Sequence, residues 1–203
     1  MVKNLNADTI GQKITSRKAQ LLVIKLDQMI TLLAHDLQWI TGVADNPQDQ
    51  CAHGAVEFSV NNTMFVKPED GIWTVSAAGL YLLRTLSHNH VSTDSVAESN
   101  FLFPHCGHAV WLVGAKSKVL CMGCNIGIDI DITHDNGIVT FHSSAGTESA
   151  TINEWQIAVL NFAKQICSFY QQYSPKEYIP DKHDREGWAG FWQEWKERVY
   201  AVS

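Results

Sequence analysis

FLFPHCGHAVWLVGAKSKVLCMGCNIGIDIDI, residues 101–132, is the stretch of sequence that decides the fold. Two apolar runs, 109–113 and 118–122, flank a Gly-Ala-Lys-Ser turn, and this pattern predicts two strands joined by a tight connection. Strands joined in this way pair antiparallel. The middle of the chain is therefore predicted to be an antiparallel β-structure rather than a parallel sheet with crossover helices.

A further strand is predicted at the end of this stretch, where isoleucine and aspartate alternate. The alternating residues are Ile128, Asp129, Ile130, Asp131 and Ile132. Successive side chains of a strand point to opposite faces, so the isoleucines share one face and the two carboxylates share the other. The Asp-Asn-Gly sequence at 135–137 predicts a hairpin turn, with a return strand at 138–142.

Outside this stretch the pattern changes to helical periods and one further hairpin. Apolar residues recur at three- and four-residue steps over 16–40, which predicts a long N-terminal helix. A hairpin is predicted over 55–66, and a helix over 77–87 capped by Ser76. Thr151 and Glu154 have the spacing of a capping box that opens a helix.

The last predicted helix spans about 184–201 and has an aromatic stripe at helical spacing. The stripe consists of Trp188, Phe191, Trp192, Trp195 and Val199. Such a stripe is more typical of a helix docked on the core than of an exposed anchor for a partner. Gly187 and Gly190 lower the intrinsic stability of this helix, so packing must hold it in place.

The predicted fold class is α+β, because strands follow strands through tight turns, which indicates an antiparallel sheet with the helices segregated to one side. We expect a single domain over residues 1–203, in which 1–15 are a lead-in or tail. The domain is expected to have a mainly antiparallel sheet of about five to seven strands. The long N-terminal helix and two C-terminal helices are expected to pack against that sheet.

Charge and hydropathy exclude several classes of protein. The formal net charge of −6 argues against nucleic-acid binding, which requires a basic face. The N-terminus lacks the apolar core of a secretory signal, and no window is long and apolar enough for a spanning helix. We therefore expect a cytoplasmic protein with reduced thiols, no nucleic-acid partner and no membrane partner.

Three of the five cysteines lie in residues 101–132 and suggest a zinc site. Cys121 and Cys124 form a C-x-x-C knuckle, and Cys106 with His105 or His108 is the candidate second half. Zinc is typically held by four thiolate or imidazole ligands in a tetrahedron. The apolar strand between the halves is atypical of a zinc ribbon, however, and free cysteine is often simply buried. The sequence favours buried thiols, with zinc as the alternative.

Two further interpretations involve the same residue types. Cys51 and His53 could complete a metal site from a distant loop, or could be ordinary loop residues. A cysteine-dependent enzyme would need a thiolate activated by a nearby imidazole, and Cys106 with His108 has the spacing for this on one strand face. His105 is the less suitable partner for Cys106, because adjacent side chains of a regular strand point to opposite faces.

The sequence favours a non-enzymatic protein that acts by binding another protein. It has no phosphate-cradling glycine loop and no nucleophile elbow, so no cofactor is expected apart from the zinc alternative. Its acidic balance suits a basic partner, as in an immunity-type inhibitor of a basic toxin. The candidate partner-binding carboxylates are Asp45, Asp49, Asp129 and Asp131.

Overall fold

The computed structural model describes residues 29–40, 45–107, 109–113, 118–177 and 181–202. In these ranges the elements are β1 (Ile30–Trp39), β2 (Ala52–Val60), β3 (Thr63–Val66), a 3-10 turn (Pro68–Asp70), α1 (Val75–Thr85), β4 (Phe103–Pro104), β5 (Ala109–Val113), β6 (Lys118–Met122), β7 (Gly127–Ile128), β8 (Asp131–Asp135), β9 (Ile138–Ser143), β10 (Gly146–Thr151), α2 (Ile152–Gln171) and α3 (Lys182–Ala201). The α+β class is confirmed.

The strands form four small antiparallel sheets in the described part of the chain, so the prediction of one larger sheet is wrong. The sheets are β1-β2-β3, β8-β9-β10, β4-β7 and β5-β6. The outer edge of β6 shows why the sheet does not continue. Its backbone groups bond to the side chains of Tyr81, Arg84 and Glu98 instead of to another strand.

The predicted N-terminal helix is wrong where the structure describes it, because Ile30–Trp39 is strand β1. Residues 16–28 of that prediction lie outside the described residues, as does the predicted lead-in 1–15. Ile30 and Leu32 are buried in alternation, but the register with β2 shifts between His35 and Gln38. This bulge breaks the two-residue alternation of apolar positions and so imitates a helical spacing.

Helix α1 is at the centre of the molecule, and each of its residues from Val75 to Thr85 is buried. It packs against α2, α3, β2 and β4. The helix begins after Thr74, so the predicted cap Ser76 lies inside the first turn. Thr85 accepts a hydrogen bond from the indole nitrogen of Trp155 at 3.1 Å and so ties α1 to α2.

An aromatic cluster joins the two three-stranded sheets to α2. Phe58 of β2 lies 5.5 Å from Phe141 of β9 and 5.7 Å from Trp155 of α2, measured between ring centroids. All three are fully buried. The predicted capping box at the start of α2 is confirmed, because Thr151 and Glu154 each bond to the backbone of the other.

Helix α3 docks through its aromatic stripe, as predicted: Trp188, Phe191 and Trp195 are buried. Gly187 lets this helix lie directly against the backbone of β5, because a Cβ atom there would overlap the carbonyl oxygen of Val110. Packing thus compensates for the low helix propensity of glycine. Among the described residues, no helix combines the length and apolar character needed to cross a membrane.

Candidate metal centre

Two chain segments meet where β4 and β7 pair. Phe103 lies opposite Ile128 and Pro104 opposite Gly127, and the amide of His105 donates to the carbonyl of Ile126 at 2.9 Å. This short ladder aligns the segment that follows β4 with the turn between β6 and β7. The first segment contains His105 and Cys106, and the second contains Cys124.

Gly123 allows the two segments to come into contact. A Cβ atom at this position would be 2.9 Å from the carbonyl oxygen of Cys106 and 3.3 Å from the hydroxyl of Ser99. A contact of this kind with backbone cannot be relieved by rotating a side chain. The glycine in the Cys-Met-Gly-Cys sequence therefore sets how closely Cys124 approaches Cys106.

The result is a cluster of one imidazole and two thiols. His105 Nδ1 lies 3.3 Å from Cys106 Sγ and 3.8 Å from Cys124 Sγ. The three donor atoms are all within 4.8 Å of one another. In the described part of the chain, this is the one group of three or more His, Cys, Asp or Glu donors that are close enough to share a metal ion.

The spacing of these atoms matches the edges of a tetrahedron around zinc. With Zn–S of about 2.3 Å and Zn–N of about 2.0–2.1 Å, two ligands at the tetrahedral angle are about 3.5–3.8 Å apart. Of the two nitrogen–sulfur distances, 3.3 Å is slightly shorter than that range and 3.8 Å is at its upper end. Binding an ion would therefore require only small movements of these side chains.

The two thiols differ in acidity. Partial burial and the neighbouring Cys124 raise the pKa of Cys106, with burial the larger cause. The pKa of Cys124 is lowered, chiefly because the Cys106 side chain hydrogen-bonds to its sulfur. The pair thus favours a state in which Cys124 is the thiolate and Cys106 keeps the proton. A thiolate is the form that binds a metal.

The structure brings together only part of the predicted metal set. Cys106 and Cys124 are in the cluster, whereas His108 lies outside the described residues. Cys121 is fully buried opposite Val110, and burial raises its pKa to about 12. The buried-thiol interpretation therefore holds for Cys121, whereas Cys106 and Cys124 lie half-buried at the surface.

Of the two imidazoles considered for the zinc site, His105 is the one that lies in the described part of the chain, and it belongs to the cluster. On a regular strand its side chain would point away from Cys106, which makes it the less suitable partner in the interpretation as a cysteine-dependent enzyme. Strand β4 ends at Pro104, however, so His105 and Cys106 are not strand residues, and their side chains turn to the same side. A proline directly before the His-Cys pair was the available signal, since proline cannot donate a ladder hydrogen bond and is confined to edges and ends of strands.

Cys51 and His53 are placed in the core rather than at the cluster. The His53 ring bonds to the carbonyl of Cys51 through Nδ1 and to the hydroxyl of Thr74 through Nε2. Both residues are buried, and burial raises the pKa of the Cys51 thiol well above its usual value. These contacts describe a packed pair of strand-end residues.

Three of the four predicted partner-binding carboxylates accept hydrogen bonds from their own chain. Asp45 accepts from the amide and hydroxyl of Ser174, and the buried Asp49 accepts from the amide of Cys51. Asp129 accepts from the ring of His90 at 2.6 Å. Asp131 lies in β8, opposite His142.

Comparison with known proteins adds no assignment: no family model, curated protein or solved structure matches the chain. The chemistry of the His105, Cys106 and Cys124 donors is therefore the strongest guide to what this protein does.

Proposed function

We propose that this protein binds zinc through His105, Cys106 and Cys124. One observation supports this most directly: the imidazole nitrogen and both sulfur atoms lie within 4.8 Å of one another. Thiolate and imidazole ligands favour zinc among the common divalent cations, whereas magnesium and calcium prefer oxygen ligands. A site with one nitrogen and two sulfur ligands therefore favours zinc over magnesium and calcium.

The proposed ion would cross-link two parts of the fold. Cys106 follows β4 and Cys124 precedes β7, and the pairing of these strands is only two residues long. A shared ion would fasten this short ladder, which few backbone hydrogen bonds hold. The described part of the chain supplies three ligands, so the fourth tetrahedral position would be taken by water or by another ligand, and water is the fourth ligand in zinc sites that react with substrates.

The metal content of protein purified without chelator tests the proposal. We expect close to one zinc per chain by inductively coupled plasma mass spectrometry, and loss of the zinc in His105→Gln, Cys106→Ser and Cys124→Ser. Two cysteines serve as matched controls: Cys121→Ala and Cys167→Ser change residues outside the cluster and should keep the metal. Zinc that is absent from the wild type, or that survives in Cys124→Ser, would overturn the proposal.

Cobalt substitution gives an independent readout of the ligands. Cobalt(II) bound by two thiolates in a tetrahedral site produces strong sulfur-to-metal charge-transfer and ligand-field bands, whereas octahedral oxygen ligands give weak bands. We expect the strong bands in the wild type and in Cys121→Ala, and a reduced charge-transfer band in Cys106→Ser. Weak bands in the wild type would show that the thiolates do not bind the ion.

The other two predicted functions receive less support. An activated nucleophile needs a lowered pKa, whereas the pKa of Cys106 is raised. Inhibition of a basic partner stays a prediction. Asp45, Asp49 and Asp129 already accept hydrogen bonds within the chain, so they are less available to such a partner.

A further inference from the structure

Cys106 and Cys124 face each other near the surface of the protein as free thiols. All five cysteines are free, and these two are half-buried. Their sulfur atoms lie within 4.8 Å of each other, and the two thiols are hydrogen-bonded. Because the sulfur–sulfur bond of a disulfide is about 2.0 Å long, the sulfurs would have to approach by no more than about 3 Å to form one.

The backbone holds the two cysteines together but leaves their side chains room to turn. The β4–β7 ladder and the hydrogen bond from the amide of His105 to the carbonyl of Ile126 fix the two segments beside each other. Cys106 follows the end of β4, and Cys124 lies between β6 and β7, so neither is a strand residue. A change of side-chain rotamer can therefore move each sulfur without breaking the ladder.

The other three cysteines are placed differently. Cys51 and Cys121 are buried in the core, where a dissolved oxidant cannot reach them. Cys167 is half-buried on α2, outside the cluster that contains Cys106 and Cys124. Redox-active cysteines are typically accessible to solvent and lie beside a second cysteine that resolves the oxidised form. Cys106 and Cys124 meet both conditions.

We propose that Cys106 and Cys124 are a site of reversible oxidation by hydroperoxides, at which the two thiols close into a disulfide. The sulfur of one thiol attacks a peroxide oxygen, the O–O bond breaks, and the thiol proton leaves with the other oxygen as water or an alcohol. The product is a sulfenic acid. The second thiol then attacks that sulfur, the S–O bond breaks, and the departing hydroxide takes the second proton as water. Two thiols thus lose two electrons to one peroxide.

The disulfide also has a consequence for the metal, and this consequence rests on the proposed zinc site. The disulfide and the ion use the same two sulfur atoms, so each excludes the other. Oxidation would remove Cys106 and Cys124 as ligands, leave only His105, and so release the zinc. Bound zinc, in turn, would protect the two thiols from the peroxide.

Treatment of the reduced, metal-free full chain with hydrogen peroxide tests the oxidation site. After denaturation and labelling with N-ethylmaleimide, we expect three labelled cysteines instead of five, and five again after dithiothreitol. Peptide mass spectrometry should find Cys106 linked to Cys124. The proposal would be overturned by five labels after peroxide, by a link to another cysteine or between two chains, or by oxidation that stops at a sulfinic acid.

Matched variants test the two steps of the reaction. Cys167→Ser changes a cysteine outside the cluster and should form the disulfide at the wild-type rate, and a tenfold slower reaction would contradict the assignment. In Cys106→Ser or Cys124→Ser the sulfenic acid has no resolving thiol, so at least one of these variants should accumulate it. Dimedone traps the sulfenic acid for mass spectrometry, and its absence from both variants would overturn the proposed route. Circular dichroism verifies that all three fold.

Addition of one equivalent of zinc before the peroxide separates this inference from the proposed function. We expect zinc to slow disulfide formation at least tenfold. If the disulfide forms in metal-free protein and zinc gives no protection, the oxidation site stands and the zinc site at these sulfurs is wrong. If the protein holds stoichiometric zinc but the metal-free form gives no disulfide, the oxidation site is wrong and the zinc site stands.

Discussion

Arg84 and Glu194 form a bidentate ion pair beneath α3, with Nε 2.8 Å from Oε1 and Nη2 2.9 Å from Oε2. The other donors of the guanidinium reach the carbonyls of Val96 and Val119 and the carboxylate of Glu98. Arg84 is only 5% exposed. The buried side chain of Arg84 in α1 is thus hydrogen-bonded to α3, to β6 and to the segment before β4.

Replacing Arg84 by methionine is expected to lower the free energy of unfolding by about 3–5 kcal/mol, because Glu194 and two backbone carbonyls lose a buried partner. Urea denaturation followed by tryptophan fluorescence measures this change. Lys182→Met is the control, since Lys182 pairs with Glu186 at the solvent-exposed surface and should have little effect. Similar losses in the two variants would show that the buried pair has no special role.

Substituting alanine at Gly187 should destabilise the protein more than substituting alanine at Gly190. Both changes raise helix propensity by about 1 kcal/mol. At Gly187 the new Cβ would overlap the backbone carbonyl of Val110, whereas at Gly190 it would meet the tip of the Leu112 side chain at 2.7 Å. A side chain can move aside and the backbone of β5 cannot. Thermal unfolding of the two variants checks the order, and a more stable Gly187→Ala variant would contradict it.

The cysteines should differ in their rates of alkylation in metal-free protein. Only the thiolate reacts, so a lowered pKa moves the rise in rate to lower pH. Cys124, with its lowered pKa, should therefore react first near neutral pH, whereas Cys121, with a pKa of about 12 and no exposure, should stay unmodified. Iodoacetamide labelling followed by peptide mass spectrometry measures each rate.

Removal of Cys106 provides the control for this order. The Cys106 side chain stabilises the Cys124 thiolate by a hydrogen bond, so Cys106→Ala should shift the labelling of Cys124 to higher pH. Cys167 lies outside the cluster, and burial raises its pKa. Its labelling rate should be the same in both proteins. An unchanged pH profile at Cys124 would contradict the proposed thiol–thiolate pair.

Asp129→Leu should cost about 1–3 kcal/mol, because it leaves a buried imidazole N–H without an acceptor. The amide of Val96 donates to Nδ1 of His90, so the ring proton is on Nε2, which donates to Asp129 at 2.6 Å. Asp129→Asn keeps an acceptor at this position and should be milder. Urea denaturation compares the two, and equal effects would show that the hydrogen bond contributes little.

Gly137→Ala should lower stability by about 1 kcal/mol through the backbone alone. Asn136 and Gly137 have φ angles of 47° and 82°, as the predicted turn between β8 and β9 requires. A Cβ atom at Gly137 would meet nothing within 4 Å, so no clash contributes to the loss. Chemical denaturation measures the loss. An unchanged stability would contradict the expected conformational cost.

The sequence correctly predicted those strands, turns and caps that are determined by residues close together in the chain. The bounds of β5 and β6, the hairpin at 55–66 and the capping box of Thr151 all match the structure. The bulge in β1 could not be foreseen, because it depends on the register with β2. The separation of the sheets also depends on distant residues, because Arg84 and Glu98, which bond to the backbone of β6, are far from it in sequence.

The candidate site could be predicted only in part, because some of its features depend on residues that are distant in sequence. Cys106 and Cys124 stood out by residue type and spacing. The participation of His105 depends on where β4 ends, and the exclusion of Cys121 depends on which face of β6 meets α1. Those are tertiary properties that spacing does not encode.

The side chains of Tyr81, Arg84 and Glu98 also protect the protein against self-assembly. A bare strand edge beside tryptophan and methionine is a template on which further chains can add to build a fibril. Here the carbonyls of Val119 and Cys121 are already occupied. A variant that loses Arg84 would uncover that template, so its slow conversion to cross-β deposits on storage is the expected consequence.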